Sequence, residues 1–317
     1  MMQKALVDAE PGSGQRADCP NLISMARVMS AHPYAPTCVR HPDRATGLSC
    51  TRCGRPACPE CLRPAAVGQH CVDCVREGQA QIRPVRTVAG APVTQTATPY
   101  VTYGLIAVNL VFYAITVLQS GSLMENYRSS LFLRLALIPS LVADGEWIRL
   151  LGAGFLHWGP LHLALNMFAL YVIGIQIEPV LGRWRLLSLY LVSLIGGSAA
   201  GMLLEAPNSI GAGASGAVYG MFGMIAVVMF RLRMNPTQIL VVIGINVFLS
   251  LSLPGISLWV HLGGLVAGTL ATIGVLFLPE WLRVRDATTA RQIGWASIAA
   301  VAAASIVVTL VATALLS

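Results

Sequence analysis

The chain has 317 residues, of which 55% are hydrophobic and only 11% charged, and its mean hydropathy is +0.67. Those values exclude an ordinary water-soluble domain and call for a membrane as solvent. The net charge of +7 is no nucleic-acid signal, because the basic residues collect where a membrane protein's cytoplasmic flanks would be.

Residues 1–98 hold 11 of the 21 basic residues, 7 of the 14 acidic ones and all eight cysteines, so a polar module precedes an apolar one. Asp8, Glu10, Arg16, Asp18 and Arg27 deny residues 1–36 the ~7–15-residue apolar core of a signal peptide. This stretch is expected to be disordered, with the first apolar helix directing insertion. Met25 and Met29 also permit a later translation start.

Residues 37–75 carry four ligand pairs: Cys38 with His41, Cys50 with Cys53, Cys58 with Cys61, and Cys71 with Cys74. Such spacing predicts two tetrahedral structural zinc sites with no open position for catalysis. The segment has too little apolar surface to fold alone, so metal would supply its folding free energy. Disulfides fit poorly on the reducing side of a membrane. A structural role, with a cytoplasmic protein partner, is the expectation. The spacing resembles B-box-type zinc fingers, which implies interleaved pairing: Cys38, His41, Cys58 and Cys61 on one ion, Cys50, Cys53, Cys71 and Cys74 on the other. Sequential pairing, or one occupied site, also fits the spacing. His70 is an alternative ligand beside Cys71, and Cys19 has no partner in this scheme. Residues 76–99, with Pro84, Pro92 and Pro99, have linker composition.

From residue 100 to 317, seven apolar runs approach the ~20 residues that a helix needs to cross ~30 Å of hydrocarbon. They lie at about 101–120, 161–177, 186–204, 214–230, 238–254, 257–278 and 293–316. The expected fold class is therefore an all-α polytopic bundle of seven transmembrane helices in the lipid bilayer. With the cysteine-rich module cytoplasmic, that side holds its 11 basic residues plus Arg183, Arg185, Arg231, Arg233, Arg283, Arg285 and Arg291. Only Arg128, Arg134 and Arg149 fall on the other side. This bias places the N-terminus inside and Ser317 outside, in what we expect to be a bacterial plasma membrane. The segment 121–147 is too long for a turn. Its apolar stretch from Leu131 to Leu141, broken by Arg134 and Pro139, is expected to lie in the interface.

Polar groups inside spans cost roughly 2.5–3.5 kcal/mol each at the centre, so those present need a reason. They are Asn109, His162, Asn166, Ser215, Asn246 and His261. Gly213-Ala214-Ser215-Gly216 sets a serine between small residues where a loop enters a helix, and amides at a helix N-terminus can stabilise an oxyanion. Ser215 stands 16 residues, or about 24 Å, from Arg231 at the cytoplasmic edge, and is thus recessed below the outer surface. His261 lies about five residues into its span from the same face, at a similar depth. Imidazole can take the serine proton during attack on a carbonyl and return it to the leaving amine. With no buried acidic residue expected at this level, the pair reads as a dyad. Asn109 and Asn246 are expected in interhelical hydrogen bonds. Gly197-x-x-x-Gly201, Gly216-x-x-x-Gly220 and Gly264-x-x-x-Gly268 predict close helix packing.

His157, His162 and Asn166 in HWGPLHLALN, then GASG at 213–216, then His261-x-x-Gly264-x-x-x-Gly268, resemble the rhomboid family of intramembrane serine proteases over about residues 101–316. The resemblance implies Ser215 as nucleophile and His261 as general base, with His162, Asn166 and the Ser215 amide facing the oxyanion. It implies further that Tyr219 packs on the catalytic histidine, that His157 is structural or water-organising, and that no cofactor serves catalysis. Substrates would be transmembrane proteins cut in or near the outer part of their spans, and the seventh helix matches the six-plus-one form. One departure is Trp147-Ile148-Arg149, where the family often has Trp-Arg; it should affect loop docking more than chemistry. Three alternatives fit the sequence less well. A catalytically silent binder of transmembrane segments is disfavoured because serine and histidine are both present. A zinc metalloprotease would need a glutamate between His157 and His162. A transporter would need polar residues along a path across the bundle.

Overall fold

The computed structural model describes residues 36–81, 86–90, 98–253 and 255–316. Residues 1–35, nearly all of the stretch expected to be disordered and with it Cys19, lie outside them. The chain divides into two compact units at Arg83/Pro84.

The first unit is built on two short hairpins and a helix: β1 (Thr37–Cys38) pairs with β2 (His41–Ala45), β3 (Leu62–Pro64) pairs with β4 (Gln69–Cys71), and α1 (Val72–Gln81) follows. Its buried cluster consists of Cys38, Cys50, Cys58, Cys61, Cys71 and Cys74 with only Ala57 and Leu62. So small an apolar core cannot offset the ordering of the segment. Helix α1 carries order through Gln81, well into the stretch whose composition reads as linker. Residues 86–90 belong to the second unit: Ala89 is buried in its core, Thr87 Oγ1 donates to the Val180 carbonyl, and the Arg185 guanidinium donates to the Ala89 carbonyl. The remainder of that stretch, 82–85 and 91–97, is outside the described residues.

All seven expected spans are helices: α2 (Tyr100–Ser120), then α6 (Gly159–Leu181), α7 (Arg183–Leu204), α8 (Ser215–Arg231), α9 (Thr237–Ser252), α10 (Leu258–Leu276) and α12 (Ala287–Leu316). Between α2 and α6 lie three short helices, α3 (Ser130–Leu135), α4 (Pro139–Ala143) and α5 (Arg149–Gly152), and α11 (Leu278–Trp281) precedes α12. Five of the seven are long and apolar enough to cross a membrane on their own; α8 and α9 fall short at 17 and 16 residues. For α8 the shortness has a packing reason. Every residue from Gly216 to Val228 is buried, so its surroundings are protein and it need not match the bilayer. The outer helices instead expose apolar side chains such as Leu118, Phe168 and Leu315, as lipid contact requires.

Small residues set the centre. A Cβ on Gly264 of α10 would collide with the Gly216 carbonyl of α8, and one on Gly268 would stand 2.6 Å from the Gly220 Cα. The expected glycine pairs therefore do place helix backbones in contact, and α10 packs chiefly on α8 and α7. At the other end of the bundle, the Glu178 carboxylate of α6 accepts from the Val101 and Thr102 amides and the Thr102 hydroxyl at 2.9, 2.8 and 2.7 Å. It caps α2, whose own N-cap is Pro99, without a side chain for the task. Asn109 and Asn246 donate their amide protons one turn back in their own helices, to Leu105 and Val242. For Asn246 that is not the interhelical pairing expected of it, the second lone pair of a helix carbonyl being the nearer acceptor, whereas Asn109 also interacts with the Tyr190 hydroxyl of α7.

Candidate active site and metal centres

Helix α8 begins at Ser215, so the first-turn amides have no acceptor within the helix and face the loop. Gly213 precedes it at φ +142°, a conformation that favours glycine, and a Cβ there would stand 2.7 Å from His162 Cε1. The approach to the serine is pinned from the long 121–158 segment. Leu137 and Gly211 exchange both backbone hydrogen bonds at 2.8 Å, and the Gly213 amide donates to the Ala153 carbonyl at 2.9 Å. Arg149 braces that segment from within: it is 4% exposed, its guanidinium donates to the Leu133 and Ala136 carbonyls at 2.8 Å each, and Nε donates to Glu146 Oε2 at 2.8 Å. The segment, expected only to lie in the interface, thus also holds the serine loop. Trp147, two residues before Arg149, stays partly exposed.

Across the glycine seam, His261 Nε2 stands 2.8 Å from Ser215 Oγ. The imidazole is buried, and the Tyr219 ring stacks on it at 4.0 Å and 12°. Helix α10, which carries the histidine, is capped by Ser257 Oγ, which accepts from the Val260 amide at 3.2 Å and donates to Glu205 Oε1 at 2.6 Å. His162, on α6, accepts the Trp158 amide at Nδ1, 3.2 Å away, so its proton sits on Nε2. That nitrogen faces the Gly213–Ser215 turn: the Gly213 Cβ position is 3.0 Å from it and 3.4 Å from Ser215 Oγ. Asn166 is buried one turn on and donates one amide proton to the His162 carbonyl at 2.9 Å, leaving the second uncommitted to it. His157 is fully buried, its ring 5.3 Å from that of His162.

Two contributors carry no sequence signal. Ser250, on α9, lies 2.8 Å from His261 Nδ1 and 2.9 Å from the Tyr219 hydroxyl. Asn126, fully buried in the long segment, donates to the His157 carbonyl at 2.8 Å and accepts the Gly159 amide at 3.1 Å, fixing the entry to α6. A lone hydroxyl in an apolar run and a loop asparagine look like many others; only the contacts single them out.

In the first unit the ligand atoms of Cys38, His41, Cys58 and Cys61 gather within 4.8 Å of one another, and so do those of Cys50, Cys53, Cys71 and Cys74. This is the interleaved arrangement, and His70, on β4 opposite Arg63, belongs to neither group. Cys53 and Cys71 sulfurs are 3.8 Å apart, and His41 Nδ1 is 3.3 and 3.4 Å from Cys58 and Cys61. Four sulfurs at ~2.3 Å from a tetrahedral ion would be separated by about 3.8 Å, so the donor set fits a metal. All seven described cysteines are free thiols. Burial pushes the Cys50 thiol up, but amides of Cys71, Cys53 and Arg52 outweigh it and bring it down to about 6. The Arg55 guanidinium, hydrogen-bonded to Cys53, is held above its usual range by that sulfur.

The Rhomboid domain family matches residues 144–277, the stretch that holds His157, His162, Asn166, Ser215 and His261. Rhomboid protease GluP of Bacillus subtilis (strain 168) is 36% identical over 195 residues, 60% of this chain and 37% of its own length. Rhomboid protease AarA of Providencia stuartii is 28% identical over 214 residues, 58% of this chain and 75% of its own. A third rhomboid relative, YdcA of the same Bacillus strain, is 33% identical over 134 residues, 41% of this chain and 67% of its own. The chain belongs to the rhomboid family. It is an integral membrane protein of that family, with an N-terminal cluster of cysteines and histidine able to hold metal. The chain spans less than half the length of GluP and 40% of RHOMBOID-like protein 4 of Arabidopsis thaliana, and the family match at residues 144–277 lies within the second unit.

Proposed function

We propose that this rhomboid is an intramembrane serine endopeptidase that cuts transmembrane proteins in or near the outer part of their spans. The observation that carries the reading is the 2.8 Å contact between Ser215 Oγ and His261 Nε2 at the N-terminus of a buried helix. Ser215 attacks the scissile carbonyl while His261 takes its proton at Nε2. The tetrahedral oxyanion is met by the Ser215 amide, His162 Nε2–H and the second proton of Asn166, groups that exist in place before reaction. His261 then returns the proton to the leaving amine, and water hydrolyses the acyl-enzyme by the same route. A helical substrate hides its carbonyls in hydrogen bonds, so cleavage favours segments that unwind locally. We also assign residues 37–81 as a cytoplasmic head holding two structural zinc ions, with Ser215 opening toward the opposite face and the C-terminus outside. The arginine distribution supports that orientation.

The test is cleavage of a substrate with one transmembrane helix, small residues at its outer end, by the full chain in proteoliposomes. Wild type is expected to cut it, and Ser215→Ala and His261→Ala to leave it intact while keeping the wild-type unfolding temperature. Undiminished cleavage by either variant overturns the dyad.

A further inference from the structure

Ser250 is the one residue that α9 buries among those described, and its hydroxyl sits where three groups converge. His261 Nδ1 is 2.8 Å away, the Tyr219 hydroxyl 2.9 Å and the Asn246 carbonyl 2.9 Å. A serine hydroxyl has one proton and two lone pairs. The Asn246 carbonyl can only accept, so the proton goes there. Both lone pairs then accept, one from Tyr219 O–H and one from His261 Nδ1–H. That set satisfies every polar atom in the cluster. It also fixes the imidazole proton on Nδ1, which leaves Nε2 bare toward Ser215 Oγ. The opposite arrangement, Ser250 donating to Nδ1, would put the proton on Nε2, where it blocks acceptance of the serine proton and leaves the Asn246 contact without a hydrogen.

We infer that Ser250 is a positioning residue, holding His261 in the one tautomer and ring orientation in which it can act as base. It acts from a third helix, through His261, and does the orienting that a carboxylate does in a triad, with a neutral hydroxyl suited to a site lacking charge. Tyr219 serves twice, stacking on the ring and donating to the same hydroxyl.

The inference rests on the Ser215–His261 reading, and its test includes a measurement that needs no turnover. Ser250→Ala and Ser250→Thr are compared with wild type as full chains in lipid. In Ser250→Ala, kcat should fall about tenfold, the loss of one hydrogen bond worth roughly 1 kcal/mol or a little more, with KM unchanged. Ser250→Thr, which keeps the hydroxyl, should restore most of it. Solid-state 15N spectra of histidine-labelled protein, with the His261 signal identified by its loss in His261→Gln, should show the Nδ1–H tautomer in wild type and a mixture in Ser250→Ala. Wild-type kcat, or an unchanged tautomer, in Ser250→Ala overturns the inference, as does a loss that Ser250→Thr fails to rescue. Cleavage by Ser215→Ala would instead sink the dyad itself, leaving the tautomer result to stand or fall separately.

Discussion

In the proposed reaction Ser215 gives its proton to His261 Nε2, which stands 2.8 Å away, so that the transfer needs little rearrangement. His162 illustrates the same economy. Its Nδ1 is occupied by the Trp158 amide, so Nε2–H is a donor before any substrate arrives. His162→Ala should therefore lower kcat by roughly 10²–10³ with a small change in KM, the signature of a group that binds the transition state more than the substrate. Steady-state kinetics on the model substrate would check this. Arg149 is predicted to matter for stability: Arg149→Leu removes three charge-assisted bonds and strands the Leu133 and Ala136 carbonyls, which should cost about 2–3 kcal/mol in the hold on the serine loop. Hydrogen exchange should rise across 130–140 and 209–213. At this scale the polar groups that come together, Ser215, His261 and His162, were legible in the sequence because a polar group in an apolar span is costly and rare. Ser250, Asn126 and Glu178 were not. A hydroxyl can hide in a helix by bonding back to its own backbone, and a loop asparagine or a helix-end glutamate sits where polar residues are common anyway.

Among the elements, α8 and α10 decide the site because glycine lets their backbones touch. Gly264→Ala would set a Cβ against the Gly216 carbonyl, and separation of the two helices at that level would part Ser215 from His261. Activity should be lost well before the bundle unfolds, which parallel measurements of cleavage and thermal unfolding would reveal. At the start of α12, Asp286 accepts from the Thr289 amide and hydroxyl at 2.7 and 2.8 Å, and those bonds hold its carboxyl below the usual carboxylate range. A lowered carboxylate stabilises above the unfolded value and loses its effect as pH falls through the folded one. The first turn of α12 should thus fray on acidification, and in Asp286→Ala at any pH, as amide exchange at 287–290 would show. The seven helices were readable from hydropathy to within four residues at each end, save the start of α12 six residues early, because a membrane imposes both apolarity and length. The shortness of α8 was not foreseen as burial, since an all-apolar run looks the same whether lipid or protein surrounds it. The linker reading missed α1 beyond residue 76 and the docking of residues 86–90, where composition is polar enough for a loop yet a single alanine finds the core.

At the scale of the molecule, a first unit whose buried core is mostly potential metal ligands is joined in the chain to a bundle held by glycine seams and apolar burial. Removal of metal from the intact chain should unfold residues 37–81 while the bundle keeps its helices, read by circular dichroism and limited proteolysis; the core of cysteines with Ala57 and Leu62 is too small to survive alone. The measurement that bears most directly on the central claim is the site of covalent capture by a fluorophosphonate, mapped by mass spectrometry on the full chain in lipid. The adduct is expected on Ser215, and to vanish in His261→Ala. Labelling of a different serine, or of Ser215 at an undiminished rate without His261, would contradict the account.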